Sequence, residues 1–465
     1  MSELALRKYL ERYAEPEAAF ARQLHTQYSN ALVVPLQREE EGFLEQLAPA
    51  VTAASGRVLV IAVVNATEGA PPAVHEQNQR LLRALGQRLA APQELSAVDG
   101  SPARAVLGRP GAFDLLLIDR ASPGKCFPVG QGVGLARRIG VDVALGLQQL
   151  DGVTSPWLSS TDADARLPVG YFQSLAAVEP RDADGTRRVA LTMPFWHTPS
   201  GDEPVDRATL LYELSLRYYT LGLAAAGSPY AYESLGSSIV VHASAYAEVR
   251  GFPRREAGED FYLLDKLAKV GSIHRPRADA TELRSRASDR VPFGTGARVR
   301  DIVAEGGGLT TYHPRTFELL RLTLRALRHA VVTRSEGDVL TRITGLDAAL
   351  DAGTLGAVSS ALEELGAIEA LRDMYGASPD ARVRERRLLT WFDALRTLRF
   401  IHLIELPAAL PRLPILEALA EAPFCDFWSP RMTENEARLG AFSAEQALPS
   451  DIGVESVILA SVNGR

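Results

Sequence analysis

The fold class the sequence predicts is α/β, a parallel sheet with covering helices followed by a mainly helical C-terminal region. Three observations lead there. Apolar runs of strand length alternate with stretches of helical period across residues 30–165. The strongest run, Arg57–Ala66, is continuous and β-branched, as a central strand covered on both faces must be. Beyond about His313 the texture changes, and Leu, Ala, Arg and Glu recur at helical spacing to about Leu419.

Taken in order, residues 1–29 carry Leu, Tyr and Phe at helical spacing and predict an N-terminal helix. Ala31–Pro35 is a short apolar strand, followed by the acidic loop Glu39-Glu40-Glu41 and a periodic helix beginning near Phe43. After the Arg57–Ala66 strand, a helix is expected from about Pro72 to Ala90, a third strand over Phe113–Arg120, and a helix over Gly132–Leu150. Ser155–Ala165 reads as a fourth strand that ends in carboxylates. Alternating strands and helices of this kind form a parallel sheet, and ligands bind beyond the carboxyl ends of its strands. Arg188–Phe195 and Ser237–His242 extend the sheet, with a covering helix around Thr209–Leu223. The chain thus divides into an N-terminal helix (1–29), an α/β domain (30–300) and a helical domain (315–465).

Composition narrows the class of function. In 465 residues, 46 % are apolar and 23 % charged, which excludes a disordered, collagen-like or multispan membrane chain. Fifty basic residues against 57 acidic ones give a net charge of −7, so bulk electrostatics favour neither nucleic acid nor an anionic membrane. The two cysteines, Cys126 and Cys425, are too few for a disulfide scaffold and too far apart for a metal knuckle. The first twenty residues are charged and amphipathic, unlike a signal peptide, and the longest uncharged apolar stretches are short. A cytoplasmic protein without a membrane span is expected, peripheral membrane contact through an amphipathic C-terminal helix remaining open.

Two acidic motifs can carry chemistry. Asp162-Ala163-Asp164 follows an apolar strand, and carboxylates at i and i+2 of a strand point the same way, toward one hard cation. The plain alternative is a solvated strand end or a helix cap. Glu259-Asp260 opens a helix after Gly251-Phe-Pro253. A carboxylate there complements the helix dipole, or it accepts the proton of an attacking hydroxyl.

Together, in this order, these motifs give the chain a resemblance. Leu32–Pro35 with Glu39-Glu40-Glu41 matches an opening strand, Pro and acidic pair; Val60–Glu68 matches a second strand that holds a nucleotide base. The helix Gly132–Ala144, with Arg137-Arg138 and Gly140, matches a Gly/Ala-Arg-Asn/Gly helix. Trp157–Asp164 with Leu167-Pro168 matches an Asp-x-Asp strand, and Gly236–Ser238, Val249–Phe252 and Glu259-Asp260 match an acceptor-side segment. Over residues 30–275 the chain resembles glycosyltransferases of the GT-A fold, family 2 most of all, a Rossmann-like domain that takes nucleotide-diphospho-sugars.

That resemblance implies metal-dependent transfer of a sugar from a nucleotide-diphosphate sugar, a UDP- or GDP-sugar, to an acceptor hydroxyl with inversion, using Mn²⁺ or Mg²⁺. It implies Asp162 and Asp164 at the donor's metal, Asp164 as the more direct ligand, and Asp260 with Glu259 as the catalytic carboxylates. Pro35, Glu39 and Asn65 would line the nucleoside pocket, and Arg137 and Asp162 would hold the nucleotide. His274 would add a metal ligand, against the plain alternative of a structural histidine. Gln37, Arg38, Asn65 and Arg138 depart from the family's pattern. Just beyond, Ser288–Arg298 sets Arg290 and Thr295 among glycines, a loop suited either to phosphate or to an ordinary turn.

Trp196-His197, Tyr218-Tyr219 and Tyr230–Tyr232 suit an acceptor pocket or a core, and Arg321, Arg325 and Arg328 a basic helix face. The acceptor, be it a small molecule, glycan or lipid-linked, and the oligomeric state are not written in the sequence. Two other functions compete: a nucleotidyltransferase of related fold, disfavoured by the glycine-poor loop Gln37–Glu41, and a degenerate GT-A binding module, disfavoured by retention of both acidic motifs.

Overall fold

The computed structural model describes residues 2–289, 294–335, 337, 339–427 and 433–447. It holds two compact units. The first comprises residues 1–206 and 234–300, the second 207–233 and 301 onward.

The first unit is built on a nine-stranded sheet. In chain order its strands are β1 (Asn30–Leu36), β2 (Val58–Asn65), β3 (Ala90–Glu94), β4 (Arg104–Arg109), β5 (Asp114–Arg120) and β6 (Trp157–Ser160). Further on come β7 (Ala165–Arg166), β8 (Arg188–Thr192), β9 (Phe195–Thr198), β10 (Ile239–His242), β11 (Ser272–His274) and β12 (Thr281–Arg284). The sheet runs β11-β8-β10-β6-β1-β2-β5-β4-β3, and β7-β12-β9 form a separate small sheet. Strands β6, β1, β2 and β5 are mutually parallel, while β10 lies antiparallel between β6 and β8. Their interior residues are buried, which is why β1, β2 and β5 read as unbroken apolar runs.

The helices are α1 (Ser2–Arg12), α2 (Phe43–Ala53), α3 (Pro72–Arg88), α4 (Val133–Gln149), α5 (Tyr171–Ala176), α6 (Glu203–Ala225), α7 (Ala243–Glu248), α8 (Glu259–Ala268), α9 (Thr295–Ala304) and α10 (Pro314–Thr333). Leu47 of α2 and Leu81 of α3 join Val34, Val60 and Leu115 in one apolar cluster. Helix α4 is buried along almost its whole length. A Cβ on its Gly140 would stand 2.3 Å from Val33 Cγ1, so glycine is what lets α4 lie on β1.

The chain order of the parallel strands matters for function. It steps from β1 to β2 to β5 on one side, then returns to lay β6 on the other side of β1. The loops after β1 and β6 both emerge at the carboxyl ends of these strands, where open α/β sheets bind their ligands, and the helices they lead to, α2 and α5, share one apolar cluster.

Several expectations need correction. The helix expected over 1–29 is two elements: α1 stops at Arg12, and a 3₁₀ helix runs over Pro16–Gln23. Glu15 is extended before Pro16, as the proline ring requires of its predecessor. The β3–β4 hairpin has no signal in the sequence, because β3 (Ala-Ala-Pro-Gln-Glu) is exposed throughout and carries no apolar alternation. Asp162 and Asp164 are not on a strand; β6 ends at Ser160, and they lie in the turn beyond it.

The second unit is helical, and it contains the Thr209–Leu223 stretch expected to cover the sheet. Tyr218 there packs edge-on against Phe317 at 5.6 Å, and Tyr230 donates to the Leu389 carbonyl at 2.8 Å. Tyr218, Tyr219 and Tyr230 thus serve this unit's core. Arg217, 1 % exposed in its side chain, sits between Glu233 at 2.7 Å and Glu213 at 3.4 Å. On the expected basic face, Arg328 donates to the Gly227 carbonyl and Arg321 lies 3.9 Å from Glu318. Among the described residues no helix is long and apolar enough to cross a membrane.

Candidate functional site

The carboxyl ends of β1 and β6 collect the acidic motifs. Glu39 comes from the loop after β1, and Asp162 and Asp164 come from the turn after β6. The Thr161 N–H donates to the Val33 carbonyl, so β6 follows β1 one residue past its formal end and sets where the turn begins.

Arg137 on α4 is the centre of the arrangement. Its Nε donates to Glu259 Oε1 at 2.9 Å, Nη1 to Ser160 Oγ at 2.7 Å and Nη2 to Asp162 Oδ1 at 2.6 Å. One guanidinium thereby ties the turn after β6 to the first residue of α8. Burial pulls Arg137 down, but the carboxylates of Asp162, Glu259 and Asp260 outweigh it and hold the guanidinium above its ordinary value. Gly236 makes room for it: a Cβ there would fall 2.4 Å from Nη2.

The carboxylate pair at the start of α8 is perturbed. Burial pushes Glu259 up, the neighbouring Asp260 charge adds to this, and Arg137 opposes it. Burial also pushes Asp260 up, against the N–H of Phe261, which its Oδ1 accepts at 2.7 Å, and against Arg137. Gly258, with φ of +73°, turns the chain sharply into the helix just before the pair.

A second arginine, which nothing in the sequence singled out, completes the cluster. Arg286 follows β12 by two residues; its Nη2 lies 3.0 Å from Asp164 Oδ2 and its Nη1 3.6 Å from Glu39 Oε1. Asp162 and Asp164 thus diverge, the first toward Arg137 and the second toward Arg286. Asp162 keeps 34 % of its side chain exposed, so the cluster opens to solvent there. Glu39, Asp162, Asp164, Glu259 and Asp260 thus gather around Arg137 and Arg286.

The other expected residues lie as follows. Pro35 is buried in β1 opposite Val63 of β2. Asn65 is buried, and its Nδ2 donates to the Leu36 carbonyl at 3.1 Å, while its own carbonyl accepts from Asn78 at 2.8 Å. Its side chain ties the end of β2 to the end of β1. His274 ends β11 and pairs with Leu191, which leaves three strand spacings, about 14 Å, between its backbone and that of Ser159 in β6. Thr295 begins α9, and Arg290 lies outside the described residues. His197 is buried edge-on to Phe195 at 5.7 Å.

Among the described residues no three His, Cys, Asp or Glu side chains converge to cage a metal ion. Asp162 Oδ1 accepts from Arg137 and Asp164 Oδ2 lies 3.0 Å from Arg286, so a divalent cation held here would take their other carboxylate oxygens, with phosphate oxygens and water completing its shell.

No family model matches the chain, and no curated protein matches it. Among solved structures it is similar to a mannosyltransferase from Pyrobaculum calidifontis in complex with GDP-Man and Mn²⁺, with 12 % identity and a TM-score of 0.31 over 86 % of this chain and 99 % of that one. At that score the likeness decides nothing about the site.

Proposed function

We propose that the chain is a glycosyltransferase that moves a sugar from a nucleotide-diphosphate sugar to an acceptor hydroxyl. The observation that carries this reading is the Arg137 bridge, which joins the Asp162 turn to the Glu259-Asp260 pair near the carboxyl end of β6. An anionic diphosphate set beside the carboxylates of Asp162 and Asp164 needs positive charge to come with it. Asp162 and Asp164 are proposed to hold a divalent cation by their carboxylate oxygens, and that ion supplies neutralisation of the charge that grows on the departing diphosphate.

The chain's own residues then have distinct roles. Arg137 fixes Asp162 and Glu259 relative to one another, and Arg286 fixes Asp164. Asp260, whose carboxylate accepts the adjacent Phe261 N–H and is not engaged by Arg137's hydrogen bonds, is proposed as the base. The acceptor oxygen attacks C1 as the bond from C1 to the diphosphate oxygen breaks, and the hydroxyl proton passes to Asp260. A single displacement of this kind inverts C1. The raised affinity of Asp260 for a proton suits a base that must take one from an alcohol near neutral pH.

The test is a panel of UDP- and GDP-sugars read by thermal shift with Mn²⁺, followed by transfer assays on whichever donor stabilises the protein. A ligand that binds only the native state raises the melting temperature by mass action. Failure of every nucleotide sugar, with and without the ion, overturns the proposal.

A further inference from the structure

Arg137 has a neighbour with a different task. Successive residues of an α-helix point about 100° apart, so Arg138 leaves α4 on another side. It meets the N-terminal segment and the loop that leads to Glu259. Its Nη1 donates to the carbonyls of Arg250 at 2.9 Å and Phe252 at 2.7 Å, its Nη2 to the carbonyl of Tyr13, and its Nε lies 2.7 Å from Glu15 Oε1. Asp142, one turn along α4 and fully buried, accepts from Tyr9 Oη at 2.7 Å and from the Glu15 N–H at 2.8 Å. Gly146, a further turn along, lets the 3₁₀ helix approach: a Cβ there would stand 2.9 Å from the Ala18 carbonyl oxygen.

The same segment grips the 249–258 loop from its other face. Arg254 forks onto Glu15 at 2.7 and 3.1 Å, and Arg250 lies over the Tyr13 ring at 4.6 Å. Gly251, at φ of +67°, leaves no space for a Cβ, which would fall 2.6 Å from Tyr9 Oη. Beyond it, the Arg255 carbonyl accepts from the N–H groups of Gly132 and Gly134, and three residues after Glu256 the chain reaches Glu259. The loop is thus held by hydrogen bonds on both sides, and its far end is the carboxylate pair.

We propose that Arg138, Asp142 and the N-terminal residues Tyr9–Glu15 form a positioning device that fixes the 249–258 loop and thereby sets Glu259 on Arg137 and Asp260 beside it. Arg138 is a positioning residue, since it acts on the pair only through the loop. The device explains why arginine stands where the resembling family has Asn: the longer fork reaches two loop carbonyls and Glu15 at once. The inference rests on the proposed glycosyl transfer only for its activity readout.

The experiment is hydrogen exchange on the full-length protein, comparing Arg138→Gln, Arg254→Gln and Tyr9→Phe with the unaltered chain, alongside steady-state transfer. In Arg138→Gln, amides of residues 249–261 are expected to exchange about tenfold faster or more, while those of β2 and β5 do not change. Transfer is expected to lose about 10²-fold in kcat with donor KM within about threefold, as misplacement at a distance does. The acid limb of kcat should move to lower pH, because water reaching Glu259 and Asp260 relieves the burial that raises them. Arg138→Lys, which cannot fork, should recover only part of the loss. If Arg138→Gln does not fold, Arg254→Gln and Tyr9→Phe, each removing one set of contacts, decide the matter by the same exchange pattern. Unchanged exchange at 249–261, or a rise spread evenly over β2 and β5, overturns the proposal. Because exchange needs no donor, it separates these outcomes even if no sugar is transferred.

Discussion

Arg137 Nη2 donates to Asp162 and Arg137 Nε to Glu259, two carboxylates nearly a hundred residues apart in the chain. The bond to Asp162 makes the turn after β6 and the first residue of α8 a single electrostatic unit. Replacing Arg137 by Met should therefore leave two buried or half-buried acids without their counter-charge, a loss of about 3–5 kcal/mol by the rule for broken buried pairs. The melting temperature of Arg137→Met, measured against Glu259→Gln, checks this: removing both partners together should cost less than the sum of the two single changes.

Asp260→Asn keeps the shape of the side chain and its hydrogen bond partner but cannot take a proton at the acceptor. Transfer should fall about 10²–10⁴-fold, while donor binding by calorimetry stays within a few-fold. A parallel loss of donor binding would mark Asp260 as part of the donor site instead.

If Asp162 and Asp164 hold the cation, a chelator should abolish transfer and weaken donor binding, and added Mn²⁺ or Mg²⁺ should restore both. Transfer that continues in the presence of chelator would assign the diphosphate's counter-charge to Arg137 and Arg286 alone.

The base must be ionised to act, and burial raises both members of the Glu259-Asp260 pair. Activity should accordingly rise with pH through an acid limb above the ordinary carboxylate range of about 4. A limb at or below that range would show that neither acid titrates in turnover.

Asp142 offers a separate reading of pH, on stability. Burial pushes its carboxyl up to about 7. Between the ordinary Asp range, about 4, and about 7 the native state then binds the proton that the unfolded chain releases, so this group's contribution to stability falls as pH rises through that window. Melting temperatures of Asp142→Asn from pH 4.5 to 8 should lose that downward component.

Gly140→Ala should destabilise the protein although it favours helix. The propensity gain is about 1 kcal/mol, but the new methyl meets Val33, whose branched side chain is pinned in a fully buried strand, and overpacking of this kind costs about 1–3 kcal/mol. Denaturant titration of the variant gives the sign.

Much of the α/β order was legible because the physics was local. A run such as Val58–Asn65 can be satisfied only by burial on both faces, and the glycines at 134 and 140 mark where α4 comes close to other backbone or side chains. What the sequence concealed was non-local. The turn at Asp162 hides because Thr161 continues the ladder on Val33, so the apolar run passes into the acidic motif with no visible break. Arg286, two residues past β12, reaches Glu39 and Asp164 across 247 and 122 residues of chain, which no spacing rule anticipates. The tie of Asn65 Nδ2 to the Leu36 carbonyl joins two strands whose pairing no local pattern announces. The two carboxylate motifs themselves were visible, and the arginines that organise them were only half so.

The position of β10 has a consequence for how the chain is made. It sits in the interior of the sheet between β6 and β8, yet it is translated only after the 207–233 excursion into the other unit. A nascent chain halted before Ile239 would present two naked β edges side by side, with the ladder partners of Leu158 and Leu191 still inside the ribosome. Fragments ending short of His242 should therefore cohere with one another in the test tube more than those that carry β10.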